Sequence, residues 1–282
     1  MSATRKAAET KTTVRNEGVE IIRRDDHVVE VLPPNPMTLL AVAATDALSV
    51  INTSSIKYSQ APSSISTCIT LTEPTVASTW SADNALLFVA SAQAVHQYNP
   101  LTNALKEVLR LPEGQTISKL ICKDKNTLIY AVAREIHTWD PASTSKIASH
   151  KSPITSLSLS NDSNLLASTS SDGVHVHNLA LGSHTVLRGL LTTSTISASA
   201  FHPHICTRLL LGLAKQLLVY DTTRPLSPLK AIPLGDPTAT AGDIIAVACS
   251  PFSKTLVAVA TAGGTVGTLD LEKEKAYADR NF

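Results

Sequence analysis

Six times along this chain an apolar stretch ends on Asn or Asp and a turn follows. The stretches are LSVIN at Asn52, AVHQYN at Asn99, EIHTWD at Asp140, VHVHN at Asn178, LLVYD at Asp221 and VGTLD at Asp270, with the caps 47, 41, 38, 43 and 49 residues apart. A second apolar run precedes each: TLLAVAA from Thr38, ALLFVAS from Ala85, TLIYAVA from Thr127, NLLASTS from Asn164, RLLLGLA from Arg208 and TLVAVAT from Thr255. Before five of these lies a third run that ends in a turn: ASTWSADN, ISKLICKDKN, ITSLSLSNDSN, ISASAFHPH and IIAVACSPFSK. A looser fourth segment, such as LKEVLRL or SHTVLRGL, comes after the cap. The repeating unit is therefore four short strands joined by turns.

A four-stranded unit repeating every ~40–50 residues has the size of a β-propeller blade. One such sheet has two faces to cover and is too thin to stand alone, so the units must stack. Strands covered on both faces read as continuous apolar runs rather than alternation, as Leu209–Leu211 and Leu217–Tyr220 do. The composition agrees: of 282 residues 43% are hydrophobic, only 4% are aromatic, and the apolar content is mainly Ala, Val, Leu and Ile. Val, Ile and Thr suit pleated, half-buried surfaces. The expected class is all-β, with residues 1–18 a flexible polar leader, 19–272 the propeller and 273–282 a C-terminal tail.

Formal net charge is +1, without the basic excess that supplies affinity for phosphate backbones, so no nucleic-acid partner is expected. Arg23-Arg24 and the Arg5-Lys6 neighbourhood are balanced by nearby acids. The most apolar stretch, Ile244–Leu269, is broken by Ser250, Pro251, Ser253 and Lys254, so no membrane span is expected. Cys68, Cys122, Cys206 and Cys249 are far apart in sequence and lie in or beside predicted strands. That pattern predicts buried reduced thiols in a reducing compartment, with neither a zinc pair nor a redox dithiol.

The clearest unit, SHKSPITSLSLSNDSNLLASTSSDGVHVHN over residues 149–178, resembles a WD40 repeat. The resemblance lies in a His before the first strand, LAS-x-S-x-DG at the hairpin, and a strand ending where the family has Trp-Asp. It implies that His150, Ser168 and Asp172 take three positions of the family's blade hydrogen-bond network, with His177 in the Trp position. Only Trp139-Asp140 keeps the Trp-Asp pair; Tyr220-Asp221 and Tyr98-Asn99 are softened versions, and Leu269-Asp270 departs further. The resemblance covers about residues 27–272. It implies a WD40-type propeller of six recognisable blades, or a seven-bladed ring lacking one. The order of the units, with HKSPITSLSLSNDSNLLAS, SASAFHPHICTRLLLGLAKQLLVYDTT and SPFSKTLVAVAT, is also similar to the WD-repeat adaptors of the γ-tubulin ring complex. Those carry a propeller that localises to spindle poles and a C-terminal helical region, which has no counterpart here.

A closed ring must join its first and last blades, because an open sheet edge leaves backbone groups unpaired. Val19–Arg24 (VEIIRR), with Val19, Ile21 and Ile22, is expected to supply the outer strand of the last blade. His27–Leu32 (HVVEVL) is then the innermost strand of the first.

Candidate chemistry is sparse. His175 and His177 share a strand face, and His202 and His204 lie one strand further on. Zinc needs three or four converging ligands, and the sequence shows no accompanying Cys or carboxylate pattern, so no metal or other cofactor is expected. In that reading His177 fills the Trp slot and the other histidines are surface or turn residues. Asp172-Gly173 reads as a tight hairpin, Thr261–Gly267 (TAGGTVG) as a strand-to-strand turn rather than a phosphate loop, and Asp25-Asp26, Glu272 and Glu274 as solvated groups. No G-x-S-x-G elbow occurs. The expected function is a non-enzymatic scaffold that binds other proteins. Resemblance points to γ-tubulin complex components, in the cytoplasm, centrosome or spindle pole body, and cytoskeleton. The alternatives are a WD-repeat subunit in ribosome biogenesis or a ubiquitin ligase, and a propeller hydrolase or lyase. The last would need acids at the inner strand ends, which ITSLSLS, ISASAF and IIAVACS lack.

Overall fold

The computed structural model describes residues 73–190, 196–234 and 242–273, together with the backbone of strand segments 13–16, 19–24, 27–30, 39–43, 47–52, 65–70 and 275–281. Among these residues every regular element is a strand and none is a helix. On the N-terminal side, β1 (Thr13–Asn16), β2 (Val19–Arg24) and β3 (His27–Glu30) form one sheet, and β4 (Leu39–Ala43), β5 (Ala47–Asn52) and β6 (Ile65–Thr70) another.

Five four-stranded antiparallel sheets follow in sequence. The first holds β7 (Thr75–Trp80), β8 (Leu87–Ser91), β9 (Ala94–Asn99) and β10 (Ala104–Arg110). The second holds β11 (Ile117–Cys122), β12 (Leu128–Val132), β13 (Glu135–Trp139) and β14 (Thr144–Ser149), and the third β15 (Ile154–Leu159), β16 (Leu165–Ser170), β17 (Gly173–Asn178) and β18 (Ser183–Val186). The fourth holds β19 (Ile196–His202), β20 (Ile205–Leu213), β21 (Gln216–Asp221) and β22 (Lys230–Pro233), and the fifth β23 (Ile244–Cys249), β24 (Leu256–Thr261), β25 (Thr265–Asp270) and β26 (Lys275–Asn281). Each is a simple meander, so neighbours in sequence are neighbours in the sheet.

The sheets stack through the strands the sequence marks as apolar runs. Along β20, Leu209, Leu211 and Leu213 belong to a core shared with the third sheet, while Leu210 belongs to one shared with the fifth. On β12, Leu128 and Tyr130 face the first sheet and Ile129 and Ala131 the third. Side chains alternate across a strand, so a strand covered on both faces buries every residue; β8 is buried throughout and Leu166–Ser170 of β16 likewise. Each fully buried Leu or Ile contributes about 1.5–3 kcal/mol. In the fifth sheet β24 alternates instead, with Val257 and Val259 buried against the fourth sheet and Leu256 exposed.

First strands lie side by side, β7 against β11, β11 against β15, β15 against β19 and β19 against β23. Hydroxyls join them. Thr155 Oγ1 donates to the Ile196 carbonyl at 2.6 Å, Ser156 Oγ accepts from Ser199 N–H at 3.2 Å, and Ser158 Oγ accepts from Phe201 N–H at 2.8 Å. The matched order of partners makes β15 and β19 run in parallel. Ser197 reaches the Ile244 carbonyl in the same way. Fourth strands are the solvent side: β18 is exposed throughout and β10 over its first four residues. The inner strands are rich in Ser, Thr and Ala because small side chains let them converge, and hydroxyls replace the backbone ladder that diverging sheets cannot share. The architecture is propeller-like.

The caps explain the repeat. Asn99, Asp140, Asn178, Asp221 and Asp270 each accept through Oδ1 from a backbone N–H two residues on: Leu101, Ala142, Ala180, Thr223 and Glu272, at 2.8–3.1 Å. These Asx turns start the connection from third to fourth strand. The turn between first and second strands repeats as well. Ser81 accepts from Leu86 N–H and donates to Asp83, as Ser160 does with Leu165 and Asp162. Gly173, at φ 134°, opens the predicted hairpin strand.

Four expectations are corrected by the ladders. Val19–Arg24 does not flank β25; it is the middle strand between β1 and β3, and the place beside β25 is taken by β26. The segment expected as a tail, 273–282, thus carries a strand, and part of the expected leader, Thr13–Asn16, is another. His27–Glu30 pairs with β2 rather than opening the sheet of β4 and β5. In each case a neighbour in sequence takes the edge, because a short hairpin loop loses less entropy on closing than a connection spanning the chain. The side chains of Val19, Ile21 and Ile22, and residues 1–12 of the leader, lie outside the described residues.

Gly212 of β20 shows how closely the fourth and fifth sheets meet. A Cβ there would lie 2.5 Å from Ile244 Cγ2 and 3.1 Å from its Cβ, inside the buried core. Gly212→Ala is expected to destabilise the protein by about 1–3 kcal/mol through overpacking, measured as a lower urea midpoint at unchanged slope.

Candidate functional site

The third sheet departs from the aliphatic pattern on one face. Val174 and Val176 of β17 point into the core shared with the fourth sheet, which leaves His175 and His177 on the opposite face. His184 of β18 sits directly across from His177 in the ladder. His150, ahead of β15, reaches the same place from below.

His150, Ser168, Asp172 and His177 form one hydrogen-bond chain. His150 Nδ1 lies 2.7 Å from Asp172 Oδ1, its Nε2 2.8 Å from Ser168 Oγ, and Ser168 Oγ 3.0 Å from His177 Nε2. A carboxylate can only accept, so the His150 Nδ1–H donates to Asp172 and its Nε2 accepts the Ser168 hydroxyl proton. Ser168 then accepts from His177 Nε2–H, the one donor that an indole would also offer. Asp172 Oδ2 accepts from Lys151 N–H at 2.8 Å. Ser168 is fully buried and His150 and His177 are nearly so.

Electrostatics follow from burial. Burial alone would raise the Asp172 carboxyl, but the Lys151 amide, His150 and Ser170 overcome it and hold it at about 2. Burial, then the rings of His175, His184 and His150, push His177 down to about 4, and burial and His150 lower His175. Both imidazoles are neutral at neutral pH.

The rings cluster. His150 and His175 are stacked with centroids 4.1 Å apart, His175 and His184 are 5.5 Å apart, and His177 and His184 5.6 Å apart. His175, His177 and His184 line a cavity of about 490 Å³ between the second and third sheets, walled also by Thr138, Ser145 and Ile147. One ring nitrogen from each of His150, His175 and His177 lies within 4.8 Å of the other two.

The remaining sequence-marked residues stay apart. Trp139 packs into the core between the first and second sheets, and Asp140 caps its strand by accepting from Ala142, Ser143 N–H and the Ser143 hydroxyl. Tyr220, wholly buried, donates its hydroxyl proton to the Arg188 carbonyl at 2.9 Å and so ties the fourth sheet to the third, and Asp221 caps with Thr223. His202 is buried with Nε2 2.8 Å from the Lys254 carbonyl, and so is a structural residue rather than a surface or turn group. Cys122, Cys206 and Cys249 are free but half-buried instead of fully buried, and burial pushes the Cys122 and Cys249 thiols up to about 11. Cys68 lies on a strand whose side chains are outside the described residues. Sequence reading joined His150 to His177 through the blade network but placed neither His175 nor His184 beside them. The register of the β17–β18 hairpin was the available signal for His184.

Topology divides the turns into two sets. In a meander, the turns between first and second and between third and fourth strands share one end of the sheet, and parallel first strands put these ends on one side of the stack. Leu101, Leu181 and Leu226, in third-to-fourth turns, are 64%, 77% and 69% exposed, and Phe252, in a first-to-second turn, is 96% exposed. The opposite set carries Ala92-Gln93, Ala133-Arg134, Ser171-Asp172 and Ala214-Lys215. In comparisons with protein-family models and with curated proteins, the chain has no significant match.

Proposed function

We propose that this chain is a WD40-type propeller that acts without catalysis as a docking platform for other proteins, and that its cargo is the γ-tubulin complex, brought to spindle poles for microtubule nucleation. The observation that carries the docking role is the concentration of Leu101, Leu181, Leu226 and Phe252 on one set of turns. Exposed apolar side chains of this size on a rigid face serve as anchors that fill pockets on a partner. The WD40 assignment is supported by the order of the Asp172–His150–Ser168–His177 chain, where a histidine donates in place of an indole. The scaffold reading is further supported by the first strands TVASTW, ISKLIC, ITSLSL, ISASAFH and IIAVAC, which bring no carboxylate to the convergent side. The γ-tubulin assignment rests on sequence resemblance alone.

Affinity capture from an extract of dividing cells tests both parts. Recovery of γ-tubulin and its complex proteins, lost with Leu181→Glu combined with Phe252→Glu, is the expected result. The double variant should melt within about 1 °C of wild type, because exposed substitutions change stability by about 0.5 kcal/mol or less. Recovery of ribosome-assembly or ubiquitin-ligase proteins instead would remove the γ-tubulin assignment. Retention of every partner by the double variant would remove the docking face.

A further inference from the structure

We propose that His150, His175 and His177 form a binding site for a borderline divalent transition ion, zinc above all, between the second and third sheets. The sequence shows the His175–His177 pair on one strand face; the fold brings His150, from the connection between β14 and β15, beside both. One nitrogen per ring lies within 4.8 Å of the others. Zinc ligands stand at ~2.0–2.1 Å from the ion, which puts tetrahedral nitrogens about 3.3 Å apart. Closing that difference needs ring rotations at His175 and His177 on β17 and at His150 in the connection ahead of β15.

Three further features suit a metal. First, His150 gives its Nδ1–H to Asp172 at 2.7 Å, which leaves Nε2 as the lone pair facing the cluster. A carboxylate behind a ligating imidazole is the usual way of fixing its tautomer and raising its basicity. Second, His175 stacks on His150 with no hydrogen bond to its ring nitrogens among the described residues, so its ligand nitrogen is uncommitted. Third, the cavity of about 490 Å³ gives entry past His175 and His177, which line it with His184.

Without the ion, the Ser168 hydroxyl bridges His150 Nε2 and His177 Nε2 at 2.8 and 3.0 Å, and so keeps the two nitrogens close. On binding, the ion takes the His150 Nε2 lone pair from the Ser168 hydroxyl, and the His177 proton moves to Nδ1, which frees Nε2 to ligate. Imidazole-only ligation selects zinc, copper and nickel over magnesium and calcium, which prefer oxygen. Asp172 neutralises part of the added charge, while Lys123 on the cavity wall opposes it. The site is independent of the docking turns.

The test uses the full chain without a polyhistidine tag, freed of metal and titrated with Zn²⁺ by calorimetry. Expected are saturable binding of one ion, no comparable heat with Mg²⁺, and a rise in melting temperature of about 5 °C at a hundredfold excess over Kd. His175→Ala should weaken binding at least tenfold while the metal-free protein still unfolds in one cooperative step, because that ring takes no part in the Ser168 hydrogen bonds. Co²⁺ in place of zinc should give visible bands of nitrogen ligation without thiolate charge transfer. Absence of saturable zinc binding, equal binding by His175→Ala, equal response to Mg²⁺, or a thiolate band from Cys122, Cys206 or Cys249 would each overturn the site.

Discussion

Leu211→Ala is expected to destabilise the protein by about 2–5 kcal/mol, the range for truncating a buried leucine whose surroundings cannot collapse into the space. Leu211 has no exposed surface and lies among Ala167, Val174 and Val176 of the third sheet and Leu209, Leu213 and Tyr220 of the fourth. Its neighbours belong to two sheets that are each pinned on their far side by another core, so relaxation toward the gap would disrupt packing elsewhere. The exposed Leu101→Ala, by contrast, should change stability by about 0.5 kcal/mol or less. Urea unfolding of both variants checks this. Equal, small effects would mean that the third and fourth sheets do not share a core.

Ser168→Ala should cost about 2–4 kcal/mol in metal-free buffer, far more than deleting a solvated hydroxyl. Its Oγ is the sole bridge between two nearly buried imidazoles, and removing it strands His150 Nε2 and His177 Nε2, each unsatisfied group contributing about 1–3 kcal/mol. His150 keeps its bond to Asp172, so the loss falls short of removing the whole chain. Denaturation midpoints give the number. A change under about 0.5 kcal/mol would show that the hydroxyl is not the organising group of this sheet.

What sequence made legible was short-range. The cap at Asn99, Asp140, Asn178, Asp221 or Asp270 can be read because the side chain satisfies an amide two residues away, so the same residue type returns wherever the same turn does. The central strands were readable because burial on both faces makes Leu209–Leu213 and Leu128–Tyr130 apolar without interruption. His150, Ser168, Asp172 and His177 were grouped through the resemblance of residues 149–178 to a WD40 repeat, and the structure brings all four within hydrogen-bond reach. Edge pairing was not legible. Nothing in VEIIRR or in KAYADRN states which strand each will flank, and the choice is decided by loop entropy and by which edge is free when the segment arrives. Nor was the imidazole cluster, since stacking of His150 on His175 depends on how the connection between β14 and β15 lies against β17. Which turns face one way is likewise a property of parallel first strands, visible only once β15 and β19 are set in register.

Neighbouring sheets bury one another, so the stack should unfold as a single cooperative body. Trp80 and Trp139 report on the first two sheets, two sheets or more away from the fifth, so a core substitution in the fifth sheet tests this most directly. Urea unfolding of wild type and of Val257→Ala should be followed by tryptophan fluorescence and by far-ultraviolet circular dichroism. Coincident curves, shifted together to lower urea by the substitution, are the predicted result. A tryptophan transition left in place while the dichroism moves would contradict it.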